Sequence, residues 1–156
     1  MPAECRPAAP GSPWHEGAPG QIPEFGARVD RRLREEVVAW LTLVDPGGTP
    51  QPAPIWFLWD GATALVYSDR NAKRLTHLRR NPKVALHLDG DGRGGDIVVL
   101  TGEVVVDQTA PAPPDNPPYL AKYGDQIAGG SWRTPEVFAG TYDVALRFTP
   151  SRVRGH

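Results

Sequence analysis

The sequence predicts an α+β barrel, mainly antiparallel, of six strands with two or three helices set between them. Three observations predict it. Short apolar runs recur between turn signals through everything after residue 23. The early turns, Asp45-Pro46-Gly47-Gly48 and Asp60-Gly61, are of the tight kind that joins antiparallel neighbours. Helical periodicity appears only in brief segments.

Residues 1–23 hold six prolines and three glycines with almost no apolar periodicity. They are read as a disordered leader, ahead of a single domain at 24–156. Glu24 to Glu35 carries Phe25, Val29 and Leu33 at intervals of four, the stripe of a short helix capping a sheet. Val37 to Val44, VVAWLTLV, is a nearly continuous apolar run suited to a strand buried on both faces. Pro46 and the glycines after it supply the φ values of a tight turn, so Gln51 to Trp59 returns as the second strand. Asp60-Gly61 favours a two-residue type I′ turn, and Thr63 to Ser68 gives the third strand.

Asp69 or Asn71 is placed to cap a helix that runs to Arg80 with Leu75 and Leu78 facing inward. Asn81-Pro82 ends that helix, and Lys83 to Leu88 is a strand. The Gly-rich GDGRGGD at 90–96 reads as a flexible connection to the long strand Ile97 to Val106. Five prolines between Pro111 and Pro118 exclude regular structure. Tyr119 to Ala128 then resumes a helical pattern with Leu120, Tyr123 and Ile127 on one side. A short helix at Pro135 to Ala139 precedes a last strand, Tyr142 to Phe148, extended through Val153.

A chain of 156 residues supports one domain with a real core. Its 17 basic and 18 acidic residues give no global pull toward nucleic acid or an anionic membrane surface. The single cysteine, Cys5, forms no intramolecular disulfide, and a zinc site is not expected. No run approaches the roughly 18 to 20 apolar residues that span a bilayer, and the N-terminus has no apolar signal core. A cytoplasmic protein with no membrane span is expected.

One charge asymmetry stands out. From Arg70 to Lys83 there are six cations, Arg70, Lys73, Arg74, Arg79, Arg80 and Lys83, and no acid. They coincide with the start of a helix after a strand, where free amides and the helix dipole favour an anion. Lys73 or Arg74 lies within one turn of that start, and Ser68 at the strand end has a hydroxyl to offer; Arg79 and Arg80 are expected to face solvent. A solvated, Arg-rich helix is the competing reading.

A second signal is QPAPIWFLW at 51–59. Pro52 and Pro54 have no N–H and lie on one side of the ladder, so this strand sits at an edge or pairs fully on one side only. A planar ring stacked on it, with Ala53 leaving the approach open and Trp56 or Trp59 walling it, would use that gap. The plainer reading makes Trp56, Phe57 and Trp59 core or dimer contacts. HExxH, GxSxG, Walker-type and CxxC motifs are missing, and GDGRGGD joins two strands instead of opening a helix. His87 alternates within an apolar strand, as a core histidine would. No catalytic side chain is assigned; any redox chemistry falls to a cofactor.

Taken together, VVAWLTLVDPGGTPQPAPIWFLWDG and LVYSDRNAKRLTHLRRNPKVALHLDGDGRGGDIVVLTGEV resemble the pyridoxamine 5′-phosphate oxidase-like superfamily. Within it they are similar to the coenzyme F420-dependent oxidoreductases. The resemblance runs from about residue 28 to 155 and includes PYLAKYG and TPSRVRGH. It implies a six-stranded split β-barrel, a homodimer, and cofactor sites at the subunit interface. The deazaflavin ring would lie along Gln51, Pro52, Ala53, Pro54 and Ile55. Its phosphate would be held by Tyr67, Ser68, Asn71, Lys73 and Arg74, with His77 beside them. The family's Lys-x-Arg-Asn run appears as Arg74-Leu75-Thr76-His77, which keeps one cation and replaces two polar contacts.

The activity implied is hydride transfer between reduced deazaflavin and an unsaturated or conjugated organic substrate, with Trp56, Tyr119, Tyr123 and Trp132 lining the substrate pocket. An FMN-dependent oxidase or reductase of the same fold, a non-catalytic carrier of flavin or tetrapyrrole, and a structural dimer with a dead site are the alternatives.

Overall fold

The computed structural model describes residues 24–155; the expected leader lies outside them. Seven strands form one curled sheet in the order β2-β1-β5-β6-β7-β4-β3, every neighbouring pair antiparallel. In chain order these are β1 (Ala39–Val44), β2 (Pro50–Ile55), β3 (Leu58–Trp59), β4 (Ala64–Ser68), β5 (Lys83–His87), β6 (Val99–Val106) and β7 (Val144–Arg154). The helices are α1 (Glu24–Glu35), α2 (Lys73–Arg80), α3 (Pro117–Gly129) and α4 (Pro135–Thr141). This is the expected α+β antiparallel half-barrel with short helices.

The strand count differs from the six expected. Gln51 to Trp59 is not one strand: Trp56 and Phe57 leave the ladder, putting β2 on one edge of the sheet and β3 on the other. Two side chains satisfy the backbone around that break. The Tyr123 hydroxyl accepts from the Phe57 N–H at 2.9 Å and donates to the Val37 carbonyl at 2.7 Å. Lys122 Nζ donates to the Phe57 carbonyl at 2.8 Å and lies 3.9 Å from the centre of the Phe57 ring.

Other local differences have simple causes. β1 alternates between buried and half-buried residues, because Ala39, Leu41 and Leu43 face the aliphatic core and the residues between them face the less covered side. The second turn is centred on Gly61 and Ala62, one residue later than expected. Asp60 N–H and the Thr63 carbonyl close it at 3.1 Å, and only Gly61 has a positive φ, which fits type II′ and not I′. Neither Asp69 nor Asn71 caps α2. Asp69 Oδ1 accepts from the Asn71 N–H in a local turn, leaving Ala72 as an N-cap without a side-chain bond. The five-proline stretch is not free of regular structure: it forms a short 3₁₀ turn at Pro113–Asp115, and Pro117 and Pro118 open α3, two residues before the expected start, because a first helical turn needs no proline N–H. The Gly-rich loop is tethered: Arg28 and Arg32 both pair with Asp96.

β4 is buried along its whole length because its two faces serve different cores. Ala64 and Val66 join the aliphatic interior with Leu33, Leu86, Leu100 and Phe148. Leu65 and Tyr67 join an aromatic layer under α3 and α4 with Tyr119, Tyr123, Ile127 and Phe138. Gly102 sits at a register shift between β6 and β7, where a Cβ would stand 2.1 Å from the Thr149 carbonyl. No helix among the described residues is long and apolar enough to cross a membrane.

Replacing Tyr123 by Phe orphans the Phe57 amide and should lower unfolding stability by about 1 to 3 kcal/mol, read from denaturant midpoints at unchanged m-value. Lys122 gives a pH signature. Burial holds its ammonium down at about 8, against 10.5 when solvated, with Glu36 opposing the shift. Between those values the unfolded chain binds the extra proton, so this group adds stability as pH rises from about 8 toward 10.5. Lys122→Met should remove that rise, measured by chemical denaturation across the window.

Candidate functional site

Two adjoining cavities run along β2. The larger, about 430 Å³, is lined by Val38, Pro54, Ile55, Trp56, Val66, Tyr67, Arg74, Tyr119, Trp132, Phe138 and Tyr142. The smaller, about 220 Å³, is lined by Leu41, Leu43, Gln51, Pro52, Ala53, Lys73, Arg74 and His77. Arg74 belongs to both. The two form one groove with a cation at its waist.

The edge strand supplies an unusual floor. Pro50, Pro52 and Pro54 stand opposite Val44, Thr42 and Trp40, so the bonds to β1 must run through Gln51, Ala53 and Ile55. The outer rim of β2 therefore presents proline carbonyls and no N–H. It is a row of acceptors to which another strand adds poorly. Gln51 Nε2 is turned back to Asp45 Oδ2 at 3.0 Å.

Arg74 is the electrostatic centre. It is half-buried and has no carboxylate partner among the described residues, and burial lowers its pKa, with only the Tyr142 oxygen opposing. Nearby cations are differently placed: Arg70 pairs with Asp143, while Lys73, Arg79 and Arg80 are exposed. α2 begins at Lys73 with no side-chain cap and no acid in its first turn. A half-buried guanidinium thus stands in the first turn of a helix that has no side-chain cap. His77 Nδ1, also at this end, is buried without a hydrogen-bond partner.

The larger cavity is aromatic. Trp56 stacks on Tyr123 with centroids 4.8 Å apart and on Phe138 at 5.8 Å, and Trp132 meets it edge-on at 5.9 Å. Burial raises the pKa of Tyr67, Tyr119 and Tyr123, so all three stay neutral phenols. The Tyr67 hydroxyl donates to the Pro111 carbonyl at 2.6 Å and accepts from Asn116 Nδ2 at 3.0 Å.

The groove gathers Gln51, Pro52, Ala53, Pro54, Ile55, Tyr67, Lys73, Arg74 and His77, together with Trp56, Tyr119 and Trp132. It does not gather every candidate. Tyr123 lies behind Trp56 and lines neither cavity. Ser68 is buried with its hydroxyl turned to the Asp69 carbonyl, and Asn71 is exposed. Sequence reasoning missed Val38, Leu41, Leu43, Val66, Phe138 and Tyr142. The last two carried a signal, four residues apart across α4 and so on one face of it.

The family model for pyridoxamine 5′-phosphate oxidase matches residues 25–156, nearly the whole described chain. The chain belongs to the pyridoxamine 5′-phosphate oxidase family. Flavin-binding oxidoreductases are among its members. No curated protein matches the chain. Among solved structures it is similar to an F420 reductase, at 20% identity and TM-score 0.57, over 79% of this chain and 91% of that one. General stress protein 26 of Bacillus anthracis gives 18% identity and TM-score 0.59, over 82% and 90%. HupZ of group A Streptococcus gives 15% and 0.54, over 85% and 92%. At such identities the likeness is one of fold.

Replacing Arg74 by Leu should stabilise the ligand-free protein by about 1 kcal/mol, because a half-buried cation without a partner is removed. Thermal melts of the two proteins without ligand check this.

Proposed function

We propose that this family member is an F420-dependent oxidoreductase, a cytoplasmic homodimer whose residues 24–156 form the cofactor-binding unit. Hydride would pass between reduced deazaflavin and an unsaturated or conjugated organic substrate. The observation that carries the reading is Arg74: a half-buried guanidinium with no counter-ion among the described residues, shared by both cavities, at the uncapped start of α2. The fold neighbour that is an F420 reductase supports the choice of deazaflavin over FMN.

The residues suit such a cofactor. Lys73, Arg74 and the first amides of α2 would hold its phosphate, with His77 alongside. Tyr67, Ser68 and Asn71 belong to the same proposed site: the ring of Tyr67 faces the larger cavity, and Ser68 and Asn71 shape the turn into α2. The acceptor rim of β2, Gln51 to Ile55, would take the ring edge, since proline carbonyls receive imide N–H groups and Ala53 keeps the approach low. When bound, the deazaflavin supplies two-electron hydride chemistry. The chain contributes orientation: it fixes ring and substrate face to face, and Trp56 and Trp132 exclude water between them. Holding two reactants in register is worth several kcal/mol of barrier.

Titration of the purified protein with F420, FMN and haem in parallel tests the reading. F420 should bind most tightly, and Lys73→Ala with Arg74→Ala should weaken it by about 100-fold, near 3 kcal/mol, through loss of charge-assisted contacts. Preference for FMN, or an unchanged F420 titration in the double variant, would refute it. Light scattering should give twice the 17.0 kDa chain mass.

A further inference from the structure

Several aromatic donors that line the larger cavity have no partner among the described residues. Of the four described tryptophans, Trp40 Nε1 donates to Asp89 at 3.1 Å and Trp59 Nε1 to Asp30 at 2.8 Å. Trp56 and Trp132, the two that line the larger cavity, have no hydrogen-bond partner among the described residues. The tyrosines divide less cleanly. Tyr123, outside the cavity, and Tyr67, which lines it, donate to backbone carbonyls, whereas Tyr119 and Tyr142, which also line it, donate to nothing described.

Tyr119 is the sharpest case. Its side chain is 1% exposed, yet its hydroxyl is not among the sealed polar atoms without a partner; His77 Nδ1 alone is, among the described residues. The little surface Tyr119 retains therefore includes its oxygen, and the residue lines the cavity. Arg74 adds a guanidinium. No carboxylate, amide or aliphatic hydroxyl lines this space. Its unpartnered side-chain groups are two indole N–H groups, two phenol O–H groups and a cation, beside the Pro54 end of the carbonyl rim and the already bonded Tyr67 hydroxyl. Donors without an acceptor in the protein suit an occupant that brings acceptors.

We propose that the larger cavity selects flat conjugated molecules whose polar edge consists of acceptor oxygens, carboxylate or carbonyl, held by the Tyr119 hydroxyl and by the Arg74 N–H groups that a cofactor phosphate would leave free, in preference to amines. The proposal deepens the functional reading above by naming the substrate class of the lobe beside the ring, and it rests on that reading. Tyr119 is then a specificity-determining donor. Because burial keeps it protonated, it offers the same hydrogen bond throughout the physiological pH range.

The test uses the full chain without added cofactor and three probes of one shape: 2-naphthoate, 2-acetylnaphthalene and the 2-naphthylmethylammonium ion. Calorimetric titration should show naphthoate binding at least tenfold tighter than the ammonium ion, with the ketone between them. Tyr119→Phe keeps the ring and removes the donor. It should weaken naphthoate and the ketone by about five- to tenfold, leave the ammonium ion unchanged, and leave F420 affinity unchanged in a parallel titration. Circular dichroism and thermal melts confirm that the variant is folded. Equal affinity for the three probes, or no effect of Tyr119→Phe, would overturn the proposal. So would a loss of F420 affinity as large as that for naphthoate, since the hydroxyl would then serve the cofactor. Naphthoate selectivity in a protein that fails to bind F420 would support the proposal while removing the cofactor assignment.

Discussion

The Tyr123 hydroxyl, wedged between the Phe57 amide and the Val37 carbonyl, lets one stretch of chain occupy both edges of the sheet. β2 opens the strand order and β3 closes it, and only Trp56 and Phe57 separate them. Two residues span less than about 10 Å, so the two edges must approach each other and the sheet must curl. The backbone groups released at the junction are satisfied from α3, by Tyr123 and Lys122, and not by another strand. The same break turns Trp56 out of the aliphatic core, onto Tyr123 and Phe138 and into the larger cavity, while Phe57 stays fully buried on the other side. Fold closure and the aromatic wall of the groove are one event.

Elsewhere the molecule satisfies its charges locally. Arg28 and Arg32 meet Asp96, Arg147 meets Asp107, and Arg34 meets Asp30. Asp107 is held down at about 2, chiefly by hydrogen bonds from Thr109 and by Arg147. Against that background the solitary Arg74, the uncapped α2 and the idle donors of Trp56, Trp132, Tyr119 and Tyr142 form one coherent exception. Arg74 and all four of these aromatic residues line the groove. Unmatched groups gathered in one place, with the carbonyl rim of β2 alongside, are the pattern expected where a ligand completes the interactions.

Much of this was legible in the residues. Alternate prolines at 50, 52 and 54 can belong only to an edge strand, and the acid-free cluster from Arg70 to Lys83 marks the anion end. The hairpins, α1 and the closing strand follow from turn chemistry and periodicity. The break at Trp56-Phe57 was not legible, because Gln51 to Trp59 is uniformly β-prone and its interruption depends on a tyrosine more than sixty residues away. The cap of α2 was misread because Asp69 can satisfy either the helix or its own turn, and the turn wins. Arg74 and Arg79 look alike in sequence; packing alone makes one half-buried and leaves the other in solvent.

The central claim is that a cofactor anion neutralises Arg74 while its ring lies along the proline rim. A crystal structure of the protein soaked with F420 measures this most directly. The expected map places a phosphate within about 3 Å of the Arg74 guanidinium and a flat ring against Pro52 and Pro54. Density elsewhere, with Arg74 still unpaired and β2 covered by protein, would contradict it.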